Sequence, residues 1–257
     1  MNTKATAKKT TEVAVQNEDL TSANQMPAYL QEQVGSTRGR EEVGVEDLVI
    51  PRLEVVQALS PCRKRTDPAY IEGAEEGMLY NNVTRELYGS EVVVIPVFFR
   101  KEWLIWKDRK KGGGFRGAYP NEQEGKAALD ELESSEDFDL VDTGQQFCLI
   151  MKGNGKAEEI VVSMSKSKMK VSRKWNSLIR LANGDSFSRA YIIKAVPDKN
   201  TNGDEYHNID VAIAGYPSQE LYQRAERLYD QITSGKATID RAVDPVEPGS
   251  DKGKTEY

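Results

Sequence analysis

The sequence predicts a mainly β protein with a few helices, and three observations lead to that prediction. Residues 91–100 form a run rich in β-branched side chains, which is typical of a strand. Two hairpins are indicated by Gly-Asn-Gly-Lys and by Asn202-Gly203. The strand-like segments beside these turns are 145–152 with 158–165, and 186–196 with 205–216. An amphipathic helix at 166–182 separates the hairpins. Because a five-stranded OB barrel has its helix between its third and fourth strands, we expect an OB-like β-barrel core.

Two earlier segments carry shorter strand signals. Residues 47–59 are predicted to be extended chain interrupted at Pro51, and 77–89 to form two short strands around an Asn-Asn turn. Pro96 lacks a backbone N–H, so it predicts an edge strand or a bulge within 91–100.

Three helices are predicted from capping residues and apolar periodicity. The helix at 166–182 has an apolar stripe on one face, which consists of Val171, Trp175, Leu178 and Ala182. The tryptophan of this stripe is expected in the core. A helix at 218–234 begins with Ser218 as its N-cap. The third helix follows Asn121, with Glu124 as the capping-box partner.

Composition divides the chain into three parts. Residues 1–43 are polar and lack periodicity, which predicts a disordered N-terminal arm. Residues 44–235 are predicted to form a single OB-like nucleic-acid-binding domain with an acidic insertion at 122–142. Residues 236–257 are predicted to be a flexible C-terminal tail.

Charge and composition narrow the classes of function. The 257 residues carry a net charge of −6 and no apolar run near the ~20 residues that span a bilayer, and the first residues lack an apolar signal core. We therefore expect a cytoplasmic protein that does not enter membranes. Cys62 and Cys148 are too few for a disulfide scaffold. His207 is the only histidine, which excludes multi-histidine metal sites and is expected to be structural. No metal, cofactor or catalytic residue is predicted.

A basic, aromatic stretch at 98–119 is the strongest functional signal in this acidic chain. It holds seven basic and two acidic residues, a net charge of +5, interleaved with Phe, Trp and Tyr. Cations neutralise phosphates and flat rings stack on unpaired bases, so the pattern predicts a single-stranded nucleic-acid site. The candidate contacts are Phe99, Lys101, Trp103, Lys107, Arg109, Lys110, Lys111, Phe115 and Arg116.

Strand alternation assigns the two tryptophans of this stretch to opposite faces. If 98–109 is one unbroken strand, its odd positions form the basic-aromatic face. Trp103 is then the stacking candidate and Trp106 the core candidate, and a bulge would reverse them. The glycines at 112–114 predict a loop that either orders on a ligand backbone or is a plain hairpin tip. The alternative for the whole stretch is a half-buried strand with a solvated charged face.

A second basic stretch, 164–180, carries six basic and no acidic residues. Solvated helix faces usually mix charges of both signs, and a helix N-terminus favours anions, so this stretch predicts a second phosphate contact. The candidates are Lys166, Lys168, Lys170, Arg173 and Lys174. The alternative is a solvated helix face.

The acidic run at 122–142 carries a net charge of −8 directly after the first basic stretch. It is either a solvated helix and loop or an autoinhibitory segment that occupies the basic site until DNA displaces it. In the second case, deleting 122–137 tightens binding. Cys62 is followed by Arg63, Lys64 and Arg65, whose charges would lower its thiol pKa or extend a DNA-binding face.

Five segments together resemble a group of bacteriophage-encoded single-stranded DNA-binding proteins. They are DLVIPRLEVVQALSP, NNVTRELYG, VVVIPVFFRKEWLIWKDRKKGGGF, SKSKMKVSRKWNSLI and YIIKAVPDKNTNGDEYHNIDVAIAG, within about 45–235. The resemblance implies an OB-like barrel in the host cytoplasm that binds unpaired DNA without sequence preference and without catalysis. It implies a role in phage replication or recombination, and partners from that machinery.

Three alternatives remain open from the sequence. A strand-annealing recombination protein would share the basic-aromatic surface. A magnesium-dependent nuclease would use the acidic run. A virion or host-takeover protein would bind another protein instead of DNA.

Overall fold

The structure is a computed structural model, and it describes residues 38, 49–108, 111–152, 156–200, 202–234 and 238–239. Almost all of the predicted N-terminal arm and most of the predicted C-terminal tail lie outside these residues. In chain order the elements are β1 (Val49–Ile50), β2 (Leu53–Val55), β3 (Leu79–Asn81), β4 (Leu87–Gly89), β5 (Glu91–Lys107), β6 (Phe115–Tyr119), α1 (Glu122–Asp130), β7 (Phe138–Met151), β8 (Ala157–Ser165), α2 (Met169–Leu181), β9 (Ala190–Lys199), β10 (Glu205–Gly215), α3 (Gln219–Thr233) and β11 (Thr238–Ile239). The predicted mainly β class is confirmed.

A six-stranded antiparallel sheet forms the centre of the fold. Its order is β10-β9-β5-β7-β8, and β6 also pairs with β5. The strands β2, β3 and β4 form a second sheet, and β1 pairs in parallel with β11. Among the described strands these pairings form three sheets and no closed barrel.

The long strand β5 organises the sheet. Its first residues, Glu91–Val94, pair with β9, whereas Trp103–Trp106 pair with β6. From Val94 onward β5 also pairs with β7, and the register shifts between Pro96 and Phe98. The bulge predicted at Pro96 is therefore confirmed. The edge-strand alternative is wrong, because β5 is an inner strand of the sheet.

The three described helices match the sequence signals. Asn121 caps α1 by accepting a hydrogen bond from the Glu124 backbone N–H at 2.9 Å, and its amide donates to the Glu124 carboxylate. Ser218 accepts a hydrogen bond from the Leu221 N–H and caps α3. The predicted start of the second helix is wrong by one turn, since 166–168 form a 3-10 turn before α2.

Two apolar clusters cover the two faces of the sheet. One joins the strands to α2 and includes Trp175, which is completely buried and packs its ring 5.9 Å from that of Tyr191. The other joins Ile95, Phe147 and neighbouring strand residues to the apolar face of α3. The prediction that Trp175 belongs to the core is confirmed.

The segment from β1 to Gln57 contacts both outer strands of the main sheet. The Val161 N–H of β8 donates to the Pro51 carbonyl at 2.8 Å. At the other end, the Gln57 side chain makes two hydrogen bonds with the backbone of His207 in β10, one to its carbonyl and one from its N–H. The Gln57 side-chain amide thus makes the two hydrogen bonds that the backbone of a neighbouring strand would make with this residue.

The acidic run does not form the separate insertion that the sequence predicts. Its first part is α1, but 138–142 belong to β7 and pair with Trp103–Lys107 of β5. The last acids of the run are therefore part of the main sheet.

Candidate nucleic-acid interface

The two basic stretches meet at one end of the main sheet. Glu102 of β5 pairs with Thr143 of β7, which pairs in turn with Ser165 of β8, so the three residues form a line across three strands. Trp103 follows one end of this line and Lys166 follows the other. Neighbouring strands lie 4.7–4.9 Å apart, so about 10 Å separates the two stretches here.

A further contact joins the first basic stretch to α2. A Cβ atom added to Gly144 would lie 2.9 Å from the Phe99 ring and 2.8 Å from the Ser172 hydroxyl. Phe99 is thus half-buried beside the first turn of α2, and the glycine makes this close approach possible. The Phe99 ring is therefore less accessible to a base than the ring of an exposed aromatic residue would be.

Lys101 and Trp103 form the centre of this end of the sheet. The Lys101 ammonium lies 5.5 Å from the centroid of the Trp103 ring and 3.3 Å from the Asp142 carboxylate. Lys101 is exposed, whereas Trp103 is half-buried. Trp106 is buried on the opposite face, 8% exposed, so the assignment of Trp106 to the core is confirmed.

Helix α1 covers part of Trp103. A Cβ atom at Gly125 would lie 3.4 Å from the Trp103 Cβ and 2.8 Å from a methyl group of Leu140. Gly125 is the buried residue of α1, and Ile105 on the same face of β5 is completely buried. The first helix of the acidic run therefore packs directly on the predicted stacking residue.

The glycine loop between β5 and β6 is held by its own backbone. The Asp108 carbonyl accepts hydrogen bonds from the N–H groups of Lys111 and Gly113, and the Lys107 N–H donates to Gly114. The Lys111 ammonium lies 3.4 Å from the Asp137 carboxylate. Arg109 and Lys110, two predicted contacts, lie outside the described residues.

A cleft of about 510 Å³ lies where this loop faces the segment after α1. It is lined by Lys107, Gly113, Gly114, Phe115, Arg116, Glu131, Leu132, Glu133 and Phe138. The Lys107 ammonium lies 5.8 Å from the centroid of the Phe138 ring. The Phe115 ring packs against Trp106 at 5.2 Å, and Arg116 is exposed. Sequence reasoning missed Phe138, because only the pairing of β7 with β5 brings it beside the basic loop. It named Glu131 and Glu133 only as members of the acidic run.

The second basic stretch is only partly accessible. Lys166, Lys170, Arg173 and Lys174 are exposed, but Lys168 is buried with 7% of its surface exposed, which does not fit the predicted open face. The Lys174 ammonium lies 2.5 Å from the Asp210 carboxylate. This hydrogen bond holds the pKa of Asp210 below its ordinary value.

Cys62 and His207 lie away from this end of the sheet. Burial raises the pKa of the Cys62 thiol, so the predicted lowering by neighbouring cations is wrong. The cysteine is 3% exposed, and desolvation of the thiolate outweighs the attraction of the Arg63 charge. His207 lies against Gly77, with its Nδ1 3.3 Å from the Glu76 carboxylate.

The described part of the chain holds neither a metal-binding group of side chains nor a membrane-spanning helix. No three His, Cys, Asp or Glu side chains there are grouped so that they could hold a metal ion. No helix in those same ranges has the length and apolar character needed to cross a membrane.

Comparison with known proteins identifies the family of the chain. No curated protein and no solved structure matches it. A family model described as Pam3 phage gp34-like protein matches residues 16–238. This match spans most of the chain and agrees with the phage origin implied by the resemblance of its segments. The chain therefore belongs to the Pam3 phage gp34-like protein family.

Proposed function

We propose that this phage protein binds single-stranded DNA at the end of the main sheet. The main support for the proposal is the strand pairing of Glu102 with Thr143 and of Thr143 with Ser165. This pairing brings together two basic stretches that are far apart in sequence. Cations beside a half-buried tryptophan match the chemistry of a phosphate backbone with unpaired bases.

Affinity comes mainly from the neutralisation of phosphates. Lys101 and Lys111 lie within 3.4 Å of carboxylates, and at these exposed positions each pair contributes only ~0–1 kcal/mol. A phosphate can therefore replace the carboxylate at little cost. Arg116 and Lys166, which are also exposed, extend the positive surface.

Stacking on Trp103 supplies the preference for single strands. Trp103 is half-buried, with α1 packed against its Cβ atom, and a base would stack on the surface that it leaves exposed. Bases within a duplex are already stacked on one another, so a duplex gains nothing from this surface.

We infer that the main sheet is the core of an OB-like barrel. In chain order β5, β7, β8, α2, β9 and β10 follow the OB arrangement, with the helix between the third and fourth strands. The bonds of Pro51 to β8 and of Gln57 to β10 support closure of the barrel through the β2 segment. In OB folds the connection between the first two strands binds oligonucleotides, and here that connection contains the glycine loop and the cleft.

In the phage life cycle such a protein would cover and straighten exposed strands during replication or recombination. This role requires binding without strong sequence preference in the host cytoplasm, and it brings the protein into contact with other replication or recombination proteins.

Fluorescence anisotropy tests the proposal. A labelled oligothymidine and a labelled duplex of the same length are titrated with the full chain at low and moderate salt. We expect salt-sensitive binding that favours the single strand. Trp103→Ala should weaken that binding about 5- to 150-fold, the range that corresponds to ~1–3 kcal/mol for one stacked base.

Tyr216→Ala provides the matched control. Tyr216 is a highly exposed aromatic residue that follows β10, and Arg189 lies over its ring. It is not part of the end of the sheet near Trp103. It should leave the affinity unchanged. Equal and weak binding of both DNA forms would refute the proposal, and the protein-binding alternative would then be tested.

A further inference from the structure

The cleft beside the glycine loop combines groups of three kinds. Lys107 and Arg116 supply positive charge, Phe138 supplies an aromatic ring, and Glu131 and Glu133 supply carboxylates. Its volume of about 510 Å³ falls within the ~300–1,000 Å³ of typical small-ligand sites. The cleft is therefore in the size range of a site for one nucleotide.

The two carboxylates do not serve a site that binds only the DNA backbone. Glu131 and Glu133 would repel phosphates, which weakens binding unless they contact another part of the strand. An ionised carboxylate can only accept hydrogen bonds, so its partner must present N–H groups. On a single strand, the only N–H groups belong to the bases.

Among the four DNA bases, guanine fits this arrangement best. Its Watson–Crick edge presents two adjacent donors, N1–H and the N2 amino group, which one carboxylate can accept together. Adenine and cytosine present an acceptor nitrogen beside their amino group, and thymine presents a single N–H between two carbonyls. Guanine also carries the O6 and N7 acceptors, which Arg or Lys contacts in many protein–DNA complexes.

The aromatic residue of the cleft completes this recognition. Flipped or unpaired bases are commonly read through hydrogen bonds to the Watson–Crick edge together with stacking on a side chain. Phe138 lies within the cleft, and Lys107 is close to its ring. Stacking is sequence-tolerant, so it raises affinity for any base, whereas the carboxylates discriminate between bases.

We propose that this cleft holds one unpaired guanine of a bound single strand, with Glu131 or Glu133 accepting from N1–H and the N2 amino group. The inference rests on the proposed single-strand binding and adds a preference at one position of an otherwise sequence-tolerant strand. Cations at Lys107 and Arg116 then contact the guanine acceptors or the adjoining phosphate.

A set of matched oligonucleotides tests the inference with the full chain. Oligothymidines carry one central dG, dA, dC or deoxyinosine, and their affinities are compared with that of plain oligothymidine. The strand with dG should bind about fivefold or more tightly than the others, the lower limit for a good bidentate base contact. Deoxyinosine lacks the N2 amino group and should lose most of this advantage.

Charge-neutral variants connect the preference to the carboxylates. Glu131→Gln and Glu133→Gln, singly and together, should reduce the preference for dG without weakening binding of plain oligothymidine. Glu136→Gln is the matched control, because Glu136 is an exposed acid of the same run that does not line the cleft. It should leave the preference intact.

The outcomes separate the two proposals. If plain oligothymidine binds tightly but all substituted strands bind equally, the guanine site is refuted and the proposed function stands. The same holds if a dG preference survives both glutamine substitutions together. If none of the strands binds, the proposed function fails and the guanine site fails with it.

Discussion

The two halves of β5 differ in what surrounds them, although they form one continuous strand. Before the bulge, Val94 and Ile95 are at most 1% exposed, and their side chains enter the two apolar clusters on opposite faces of the sheet. After it, Lys101 is exposed and Trp103 half-buried, and charged neighbours from β7 accompany them. The same backbone ladder therefore supports a core at one end and a candidate binding surface at the other.

This difference shows how a rigid site can be built from a β-strand. The buried half fixes the position of β5 between β7 and β9, and the pairing with β7 continues to Lys107. The side chains after the bulge thus inherit a defined geometry from this pairing and from the buried Ile105 and Trp106 beside them. Substitutions before the bulge should consequently change the free energy of unfolding, and substitutions after it should change the affinity for DNA.

The largest expected effect comes from the buried half. Ile95→Ala should lower the free energy of unfolding by ~2–5 kcal/mol, because it removes buried methyl groups and leaves a cavity. Denaturant-induced unfolding followed by circular dichroism measures this loss. The folded fraction should bind single-stranded DNA with unchanged affinity. A loss of affinity as large as that of Trp103→Ala would show that the two halves are not separable.

The next effect concerns the salt dependence of binding. Lys101→Ala should make the slope of log affinity against log salt shallower by ~0.7, because one phosphate contact on a single strand is lost. Lys194→Ala is the control, since Lys194 is an exposed lysine that pairs with the buried half of β5. Identical slopes for the two variants would contradict the assignment of Lys101 to the interface.

A smaller effect is expected from the acidic run. Deleting 122–137 would also remove Gly125 and uncover Trp103 and the buried Ile105, so it does not isolate the role of charge. Neutralising the exposed acids through Asp130→Asn and Glu136→Gln tests autoinhibition more cleanly. Affinity for oligothymidine should rise up to about fivefold at low salt, and the gain should disappear at high salt.

The control for this experiment neutralises two acids elsewhere. Glu220→Gln with Glu226→Gln changes the net charge of the chain by the same amount on α3, where both residues are exposed. If this control tightens binding equally, the gain reflects net charge and not a segment that competes with DNA.

The smallest effect is a pH dependence at the β9–β10 hairpin. Hydrogen bonds from Asn208, Tyr206 and the Lys199 N–H lower the pKa of Asp198 below 3.8 in the folded state. The resulting stability is present above pH 3.8 and is lost as the pH falls through the lower, folded-state pKa. In Asp198→Asn, the free energy of unfolding should therefore change less with pH below 3.8 than in the unchanged chain. Urea titrations at several pH values measure this dependence. An unchanged profile would contradict this role.

Much of the secondary structure could be predicted from local patterns. The caps at Asn121 and Ser218, the hairpin turn at Asn202-Gly203 and the bulge at Pro96 each depend on a few neighbouring residues. The burial of Trp106 and Trp175 followed from strand alternation and helix periodicity. Local sequence determines each of these features, and the tertiary contacts agree with them.

The remaining features depend on pairings between distant segments. No local pattern shows that α1 packs on Trp103 through Gly125, or that Phe138 lies beside Lys107. Lys168 lies in the 3-10 turn before α2 and is buried, which the charge pattern of the stretch did not predict. The autoinhibition hypothesis and the DNA contacts remain predictions until binding is measured.

The length of β5 has a mechanical consequence for a protein that holds a DNA strand. At about 3.3 Å per residue, its 17 residues span about 55 Å from the buried end to the candidate interface. A pull transmitted along β5 loads its hydrogen bonds with β7 in parallel, as a shear force, so they must fail together. A pull across the sheet would open them one after another. Such a sheet is expected to withstand tension along β5 far better than tension perpendicular to it.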